Sequence, residues 1–285
     1  MINATLILEG GAARGVYTAG ILDYLMKRDV YFSHVIGVSA GACNAMGYVA
    51  RQPGRSRECM ITEDPDLTYY YGVKDSIRER SILNMDRIFE EYPKKIYPFD
   101  FDAYFNSSMH NEIVTTNLLT GHEEFMTESS DPERLLSLVR ASCSLPLLAP
   151  IVDIDGKPYL DGGLTNAIPI DHARTLPNEK IIVILTRKLG YRKGPIPRPL
   201  AQAYRTRFRS YPNFVESLMA RVEYYNQCLD DVAQLEAEGK IMVFRPTVRP
   251  ISRMERDMSM MEMFYDHGYA QIERRYEDLQ HYLSI

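Results

Sequence analysis

Apolar positions along the chain fall into short runs separated by stretches of helical spacing. Thr5 to Leu8 is a β-favouring apolar run that stops at Gly10-Gly11. From Ala19 to Lys27, Ile21, Leu22, Leu25 and Met26 follow helical spacing. Phe32 to Val38 is a second strand-like run, and Ala40 to Ala50, rich in Ala and Gly, suits a helix packed tightly on a sheet. Glu112 to Leu118 and Glu123 to Met126 predict a strand pair around Thr120-Gly121. Asp131-Pro132-Glu133 predicts a helix start, with a capping carboxylate, proline in the first turn and an acid near the positive end, running into Ala141. Lys157 to Leu160 and Lys180 to Thr186 read as further strands, the second central and buried. Residues 199–237 read as mostly helical, Ile241 to Phe244 as a strand, and Asp257 to Leu283 as an amphipathic helix with Met258, Met261, Tyr265, Ile272, Tyr276 and Leu279 on one stripe. Residues 51–110, rich in Tyr, Pro and charge, read as helices and loops decorating the core. Strands alternating with helices predict an α/β protein with a parallel sheet.

Composition narrows the class. The chain has 285 residues, 45% of them hydrophobic, enough for one large core. Its formal net charge of −5 argues against nucleic acid as a partner. Cys43, Cys59, Cys143 and Cys228 form no C-x-x-C pair, which removes support for zinc or thioredoxin-like chemistry. Cys43 and Cys143 read as small buried hydrophobes. The beginning MINATLILEGG lacks a basic region and a long apolar run, so a signal peptide is not expected, and no stretch approaches the length of a membrane span. The expectation is a reduced, cytoplasmic protein, peripheral at a membrane if it meets one.

Three motifs carry chemistry. Gly37-Val38-Ser39-Ala40-Gly41 is a G-x-S-x-G between an apolar strand and a small-residue helix, a context that pushes a serine out on a sharp turn. Read alone, it could equally be a glycine-rich turn. Gly10-Gly11-Ala12-Ala13-Arg14-Gly15 follows the first strand and can turn several N–H groups towards an anion. A dinucleotide cradle fails at Ala12 and lacks the acidic residue expected on the next strand, whereas an oxyanion hole suits the G-x-S-x-G that follows. Arg14 could supply a positive field or hold the loop through a carboxylate. Asp161, in Tyr159-Leu160-Asp161-Gly162-Gly163, ends an apolar strand at a tight turn. An Asp-Gly turn is common without function. As a base for the serine, the carboxylate would need burial and close contact with the hydroxyl.

In this order, GGAARG, GVSAG and DGG resemble the patatin-like phospholipase family, and TTNLLTG at 115–121 and ASCSLPLLAP at 141–150 extend the resemblance over roughly residues 4–186. The resemblance implies a three-layer α/β/α fold with a mostly parallel central sheet, and hydrolysis of lipid acyl esters by a Ser–Asp dyad without histidine, metal or cofactor. Ser39 would be the nucleophile and Asp161 the base. The N–H groups of Gly10, Gly11 and Ala12 would form the oxyanion hole, with Arg14 and Gly15 supporting that loop. Gly37 and Gly41 would shape the nucleophile turn, and Gly162 and Gly163 the aspartate turn. One departure is Ala12, where the family has a third glycine; alanine keeps the N–H but is strained at positive φ. Residues 1–190 would form the catalytic core and 191–285 a mostly helical extension with a strand near 241–244.

Two other readings stay open on sequence. One is a Ser-His-Asp hydrolase with His172 as the imidazole, since Ser39, Asp161 and His172 follow the usual chain order. The other is a patatin-like scaffold with weak or no catalysis. Between Lys180 and Val215 there are nine Lys or Arg and no Asp or Glu, a stretch that could meet anionic head groups transiently or simply be a solvated connection. Sequence alone leaves the oligomeric state unknown.

Overall fold

The computed structural model describes residues 1–284 apart from 63, 73, 75, 77, 79, 80 and 179. Its first strand, β1 (Ile2–Leu8), leads through a glycine loop into helix α1 (Gly15–Lys27). Then come β2 (Phe32–Val38), α2 (Ala40–Val49), α3 (Arg55–Met60), a π-helix over Arg87–Ile96, α4 (Phe101–Phe105), β3 (His110–Asn117), β4 (Glu123–Met126) and α5 (Pro132–Ser142). The chain continues through β5 (Val152–Ile154), β6 (Lys157–Asp161), α6 (Ile170–Thr175), β7 (Ile181–Ile184), α7 (Arg198–Arg207), α8 (Pro212–Ala237), β8 (Ile241–Phe244), α9 (Met258–Arg274) and α10 (Tyr276–Leu283).

The strands form one eight-stranded sheet in the order β5-β6-β3-β2-β1-β7-β8, with β4 also paired to β3. Pairings among β3, β2, β1, β7 and β8 are parallel; those of β4, β5 and β6 are antiparallel. Successive residues of a strand face opposite sides. Leu6 and Leu8 enter a core that includes residues of α1, α2, α5 and α9, whereas Ile7, Ile36 and Val38 enter a second core with α6 and α8. The three-layer reading of the sequence therefore holds.

Register along β3 decides where the loops meet. Ile113 and Val114 pair with both β2 and β4, and Thr115 and Thr116 with both β4 and β6. A strand has two edges, so β2 and β6 share one edge of β3 and β4 takes the other. Parallel β2 ends at Val38, opposite Val114, and antiparallel β6 ends at Asp161, opposite Thr115. The two strands thus converge end to end on neighbouring register positions.

Several boundaries differ from the sequence expectation. The stripe from Asp257 to Leu283 is two helices, broken at Arg275, whose guanidinium donates to Val243 O at 2.8 Å. β1 begins at Ile2, with an irregularity in its pairing between Ile2 and Thr5 that the apolar run alone does not announce. The short strand β5 pairs with β6 through residues whose apolar pattern is too brief to signal a strand.

Candidate active site

Ser39 occupies the junction of β2 and α2 at φ 55°, ψ −126°, far from the regular basins open to a serine. The strain is held in place by close packing and one well-made hydrogen bond. Ser39 N–H donates to Ser142 Oγ at 2.8 Å, and Ser142 Oγ donates to Val114 O at 2.7 Å. A Cβ on Gly41 would lie 2.2 Å from Leu8 O, and one on Gly37 would lie 2.6 Å from Ala42 Cα. Both flanking glycines are therefore dictated by backbone contact around the serine.

Asp161 is buried at the end of β6. Its N–H donates to Ser144 O at 2.9 Å, and its carbonyl accepts from Thr116 Oγ1 at 2.8 Å. Oδ1 accepts from Gly163 N–H at 2.7 Å, while Oδ2 is buried without a hydrogen-bond partner among the described residues. Burial pushes this carboxyl up to about 6, against the opposing pull of the Ser39 hydroxyl and the Gly163 N–H. A Cβ on Gly162 would strike Val114 O at 2.2 Å, so that turn fits tightly over β3.

The glycine loop lies directly over Ser39. A Cβ on Gly10 would sit 2.8 Å from Ser39 Cβ and 3.5 Å from its Oγ. Among the described residues, neither the Gly10 nor the Gly11 N–H donates to a protein acceptor. Ala12 adopts φ 49°, the strained conformation anticipated for a residue standing in place of glycine. Gly15 opens α1 within close reach of Ala40 and Met60. Arg14 is held differently from the sequence expectation: its Nε donates to the Ile251 carbonyl at 3.0 Å, not to a carboxylate. Ala13 N–H adds a second tie, to Arg253 O at 3.1 Å. Residues 251–253 thus latch the loop from the far end of the chain. Burial, with Arg187 and Arg253 nearby, lowers Arg14 to about 10.

Two cavities meet at this point, and Ser39, Ala12 and Leu145 line both. One, of about 140 Å³, is walled by apolar and sulfur-bearing side chains, including Met46, Phe89, Val139, Cys43 and Cys143. The thiols of Cys43 and Cys143 are free and 3.6 Å apart. The other, of about 310 Å³, is polar and contains Asp161, Glu9, Arg14, Arg187, Lys193, Arg221, Tyr191, Tyr225 and Arg253. Glu9 is buried; its carboxylate accepts from Thr186 N–H at 2.6 Å and from Tyr225 O–H at 2.6 Å.

Among the described residues, no histidine lines either cavity. His172, the imidazole of the alternative triad, is stacked on Phe125 and places Nε2 2.8 Å from Glu112 Oε2. His34 Nε2 shares the same oxygen at 3.0 Å. Among the described residues, His34, His110 and Glu112 are the group with potential metal-ligand atoms within 4.8 Å of one another. They sit at the opposite ends of β2 and β3 from Ser39; His34 lies five positions before it along the strand, on the order of 16 Å.

Motif reading picks out Gly10, Gly11, Ala12, Arg14, Ser39 and Asp161, and the fold brings all of them together. It misses Ser142, although that residue lies in a segment already conspicuous. It also misses Glu9, Arg187, Lys193, Arg221, Tyr225 and the carbonyls of Ile251 and Arg253. The only signal for any of these was the acid-free stretch, whose Arg187 and Lys193 turn into the polar cavity while Arg205, Arg207 and Arg209 stay exposed.

The chain resembles known proteins over most of its length. The family model for patatin-like phospholipase matches residues 6–174, and residues 211–284 match a domain of unknown function. The chain is 26% identical over 186 residues to the uncharacterized protein YjjU of Escherichia coli (strain K12), an alignment covering 64% of this chain and 51% of the relative. It is 25% identical over 191 residues to a probable lipid hydrolase of Invertebrate iridescent virus 6, covering 62% of this chain and 65% of that protein. These matches span about half to two thirds of the relatives' length. The crystal structure of VipD from Legionella pneumophila shares the fold with a TM-score of 0.51 at 12% identity, over 98% of this chain and 67% of that one. No helix among the described residues is long and apolar enough to cross a membrane.

Proposed function

Because the chain belongs to the patatin-like phospholipase family, we propose that it hydrolyses lipid carboxylic esters with Ser39 as nucleophile and Asp161 as general base. The observation that carries this reading is the end-to-end convergence of β2 and β6 on β3. It sets the strained serine beside a buried carboxylate, beneath a loop with unused N–H donors.

Asp161 accepts the hydroxyl proton as Ser39 Oγ attacks the ester carbonyl. The N–H groups of Gly10, Gly11 and Ala12 receive the oxyanion; donors fixed in advance are worth on the order of 3–4 kcal/mol each in such a transition state. Asp161 returns the proton to the departing alcohol. Water, deprotonated by the same carboxylate, then attacks the acyl-enzyme; the fatty acid leaves as the ester bond to Ser39 Oγ breaks, and Asp161 passes its proton back to that oxygen, restoring serine and carboxylate. The acyl chain suits the apolar cavity and the alcohol the polar one, because the reacting serine lines both.

Ser39→Ala tests the reading. It should remove fatty-acid release and fluorophosphonate labelling while leaving circular dichroism unchanged. Full activity in that variant would reject the nucleophile, and a folded wild-type protein that neither labels nor hydrolyses would favour a non-catalytic scaffold. His172→Ala should keep its activity, since that imidazole is committed to Glu112. Exposed Arg205, Arg207 and Arg209 give the protein a surface for transient contact with an anionic bilayer. Vesicle binding indifferent to anionic lipid and salt would count against that contact.

A further inference from the structure

The polar cavity beside Ser39 holds more positive charge than the reaction above uses. Five cationic side chains, Arg14, Arg187, Lys193, Arg221 and Arg253, line it against two carboxylates, Glu9 and Asp161. The Glu9 oxygens are already taken by Thr186 and Tyr225, and Asp161 is the base. The cations are drawn from distant parts of the chain, and Arg221 Nε is buried without a hydrogen-bond partner among the described residues. Burial foremost, and then the neighbouring Arg221, lower Lys193 to about 8. Arg14 is buried, Arg187, Lys193 and Arg221 are half-buried, and Arg253 is exposed at the rim; like charges drawn together and partly out of water are unfavourable unless a counter-charge joins them. At about 310 Å³ the cavity falls in the roughly 300–1,000 Å³ range of small-molecule sites.

The aromatic rings refine the choice. Tyr191 and Tyr225 are the aromatic residues of this cavity, and each ring already carries a cation: Arg187 lies 4.1 Å from the Tyr191 centroid and Lys193 lies 4.0 Å from that of Tyr225. A quaternary ammonium needs open aromatic faces. Here it would meet guanidinium and ammonium groups instead. A phosphate offers what these donors match, several acceptor oxygens for charge-assisted hydrogen bonds.

We propose that the polar cavity is a head-group site for a phosphomonoester on the alcohol side of the scissile ester, so that the preferred substrates are acyl glycerophosphates rather than phosphocholine lipids. The assignment rests on the ester-hydrolase reading for its substrate half, while the anion site stands on the cavity alone.

Fatty-acid release from 1-oleoyl glycerol 3-phosphate, 1-oleoyl glycerophosphocholine and 1-oleoylglycerol, each in neutral detergent micelles, tests the preference. The phosphomonoester should exceed both others in kcat/KM by about tenfold or more. In Arg187→Ala/Lys193→Ala that ratio should collapse towards one, chiefly through KM, whereas Arg187→Lys should retain most of it. Equal or better hydrolysis of the choline ester, or a ratio unmoved in the double variant, would overturn the proposal. If none of the three esters is hydrolysed, the hydrolase reading fails on its own account. Calorimetric titration of the Ser39→Ala protein tests the anion site independently. Glycerol 3-phosphate should bind more tightly than inorganic phosphate and lose about tenfold or more in affinity when Arg187 and Lys193 are also replaced by alanine. Absence of binding would overturn the site. Equal affinity for the two ligands would make it a free-phosphate site and overturn the head-group assignment.

Discussion

Asp161 and Ala12 are the residues at which local energetics and chemistry pull in opposite directions. As the proposed base, Asp161 must be ionised to accept a proton, so kcat/KM should rise with pH through a midpoint of about 6 and level off above it. A flat profile from about pH 5 to 8 would exclude it as the base. Its folded pKa lies above the unfolded value near 3.8, so the folded state binds the proton more tightly. That contribution is full at pH below the unfolded value and is lost as pH rises through about 6, leaving an ionised burial that costs on the order of 2–3 kcal/mol at neutral pH. Asp161→Asn keeps an acceptor for the Gly163 N–H and removes the charge. It should cut hydrolysis by about 10²–10⁴-fold while its Tm at pH 8 equals or exceeds that of wild type. Ala12→Gly should relieve the positive φ and raise stability by up to about 1 kcal/mol, measured by urea unfolding, with hydrolysis retained. Gly10, Ser39 and Asp161 were legible in the sequence because turn chemistry is local: a strand end, a small residue and a reactive side chain lie within five positions. Arg221 and Arg253 were not, because an arginine on a helix or in a loop looks the same whether it faces solvent or a cavity formed by residues far away in the chain.

At the scale of elements, the hydrophobic pattern indicated that α9 was amphipathic but not what it covers. Its partner is α1, and the two backbones touch at their glycines. A Cβ on Gly20 would lie 2.2 Å from Tyr265 O, and one on Gly268 would lie 2.1 Å from Tyr17 O. Neither glycine has a positive φ, so each serves approach rather than conformation. Gly268→Ala should force the helices apart and destabilise the protein by about 1–3 kcal/mol in chemical unfolding, although alanine is the better helix former. An increase in stability would contradict the crossing. The start of α5 rests on a different device. Glu128 accepts from the N–H groups of Ser129, Ser130 and Asp131 and pairs with Arg134. Burial raises its carboxyl, but these bonds prevail and hold it down at about 2. Its stabilisation is therefore present above the unfolded value near 4.5 and lost as pH falls towards 2. Glu128→Gln should lose about 1–2 kcal/mol at pH 7, after discounting for solvent screening, and show a shallower acid decline of stability between those pH values. Strands and capped helices were legible because period and caps are local signals. The π-helix was not: Pro93 lies inside it, where a proline normally signals termination.

At the scale of the whole molecule, the site depends on both ends of the chain. β8 pairs with β7 in the sheet that carries Ser39, and Tyr225, Cys228 and Val232 of α8 cover the face that includes Ile7, Ile36 and Val38. Residues 251–253 hold the glycine loop through Arg14 and Ala13. The sequence divides by composition near residue 190, and the family match ends at 174, so local pattern marks residues 191–285 as an extension packed on a catalytic core without saying where it touches the site. The contacts that tie it to the site are long-range and leave no periodic trace. A chain ending at residue 190 would present β7 as an open edge, a hazard for edge-to-edge pairing. It would also uncover the apolar side of α1, where Val16, Tyr17 and Ile21 are fully buried, and it would leave the Arg14 guanidinium without its carbonyl acceptor. We expect residues 1–190 expressed alone to bind a hydrophobic dye, to lack near-ultraviolet dichroism and to release no fatty acid from any ester that the full chain hydrolyses. A monomeric, well-folded fragment with the full chain's kcat/KM would instead make residues 191–285 dispensable for catalysis. In that case the latch on the glycine loop would be an ornament of the fold rather than a condition of the site.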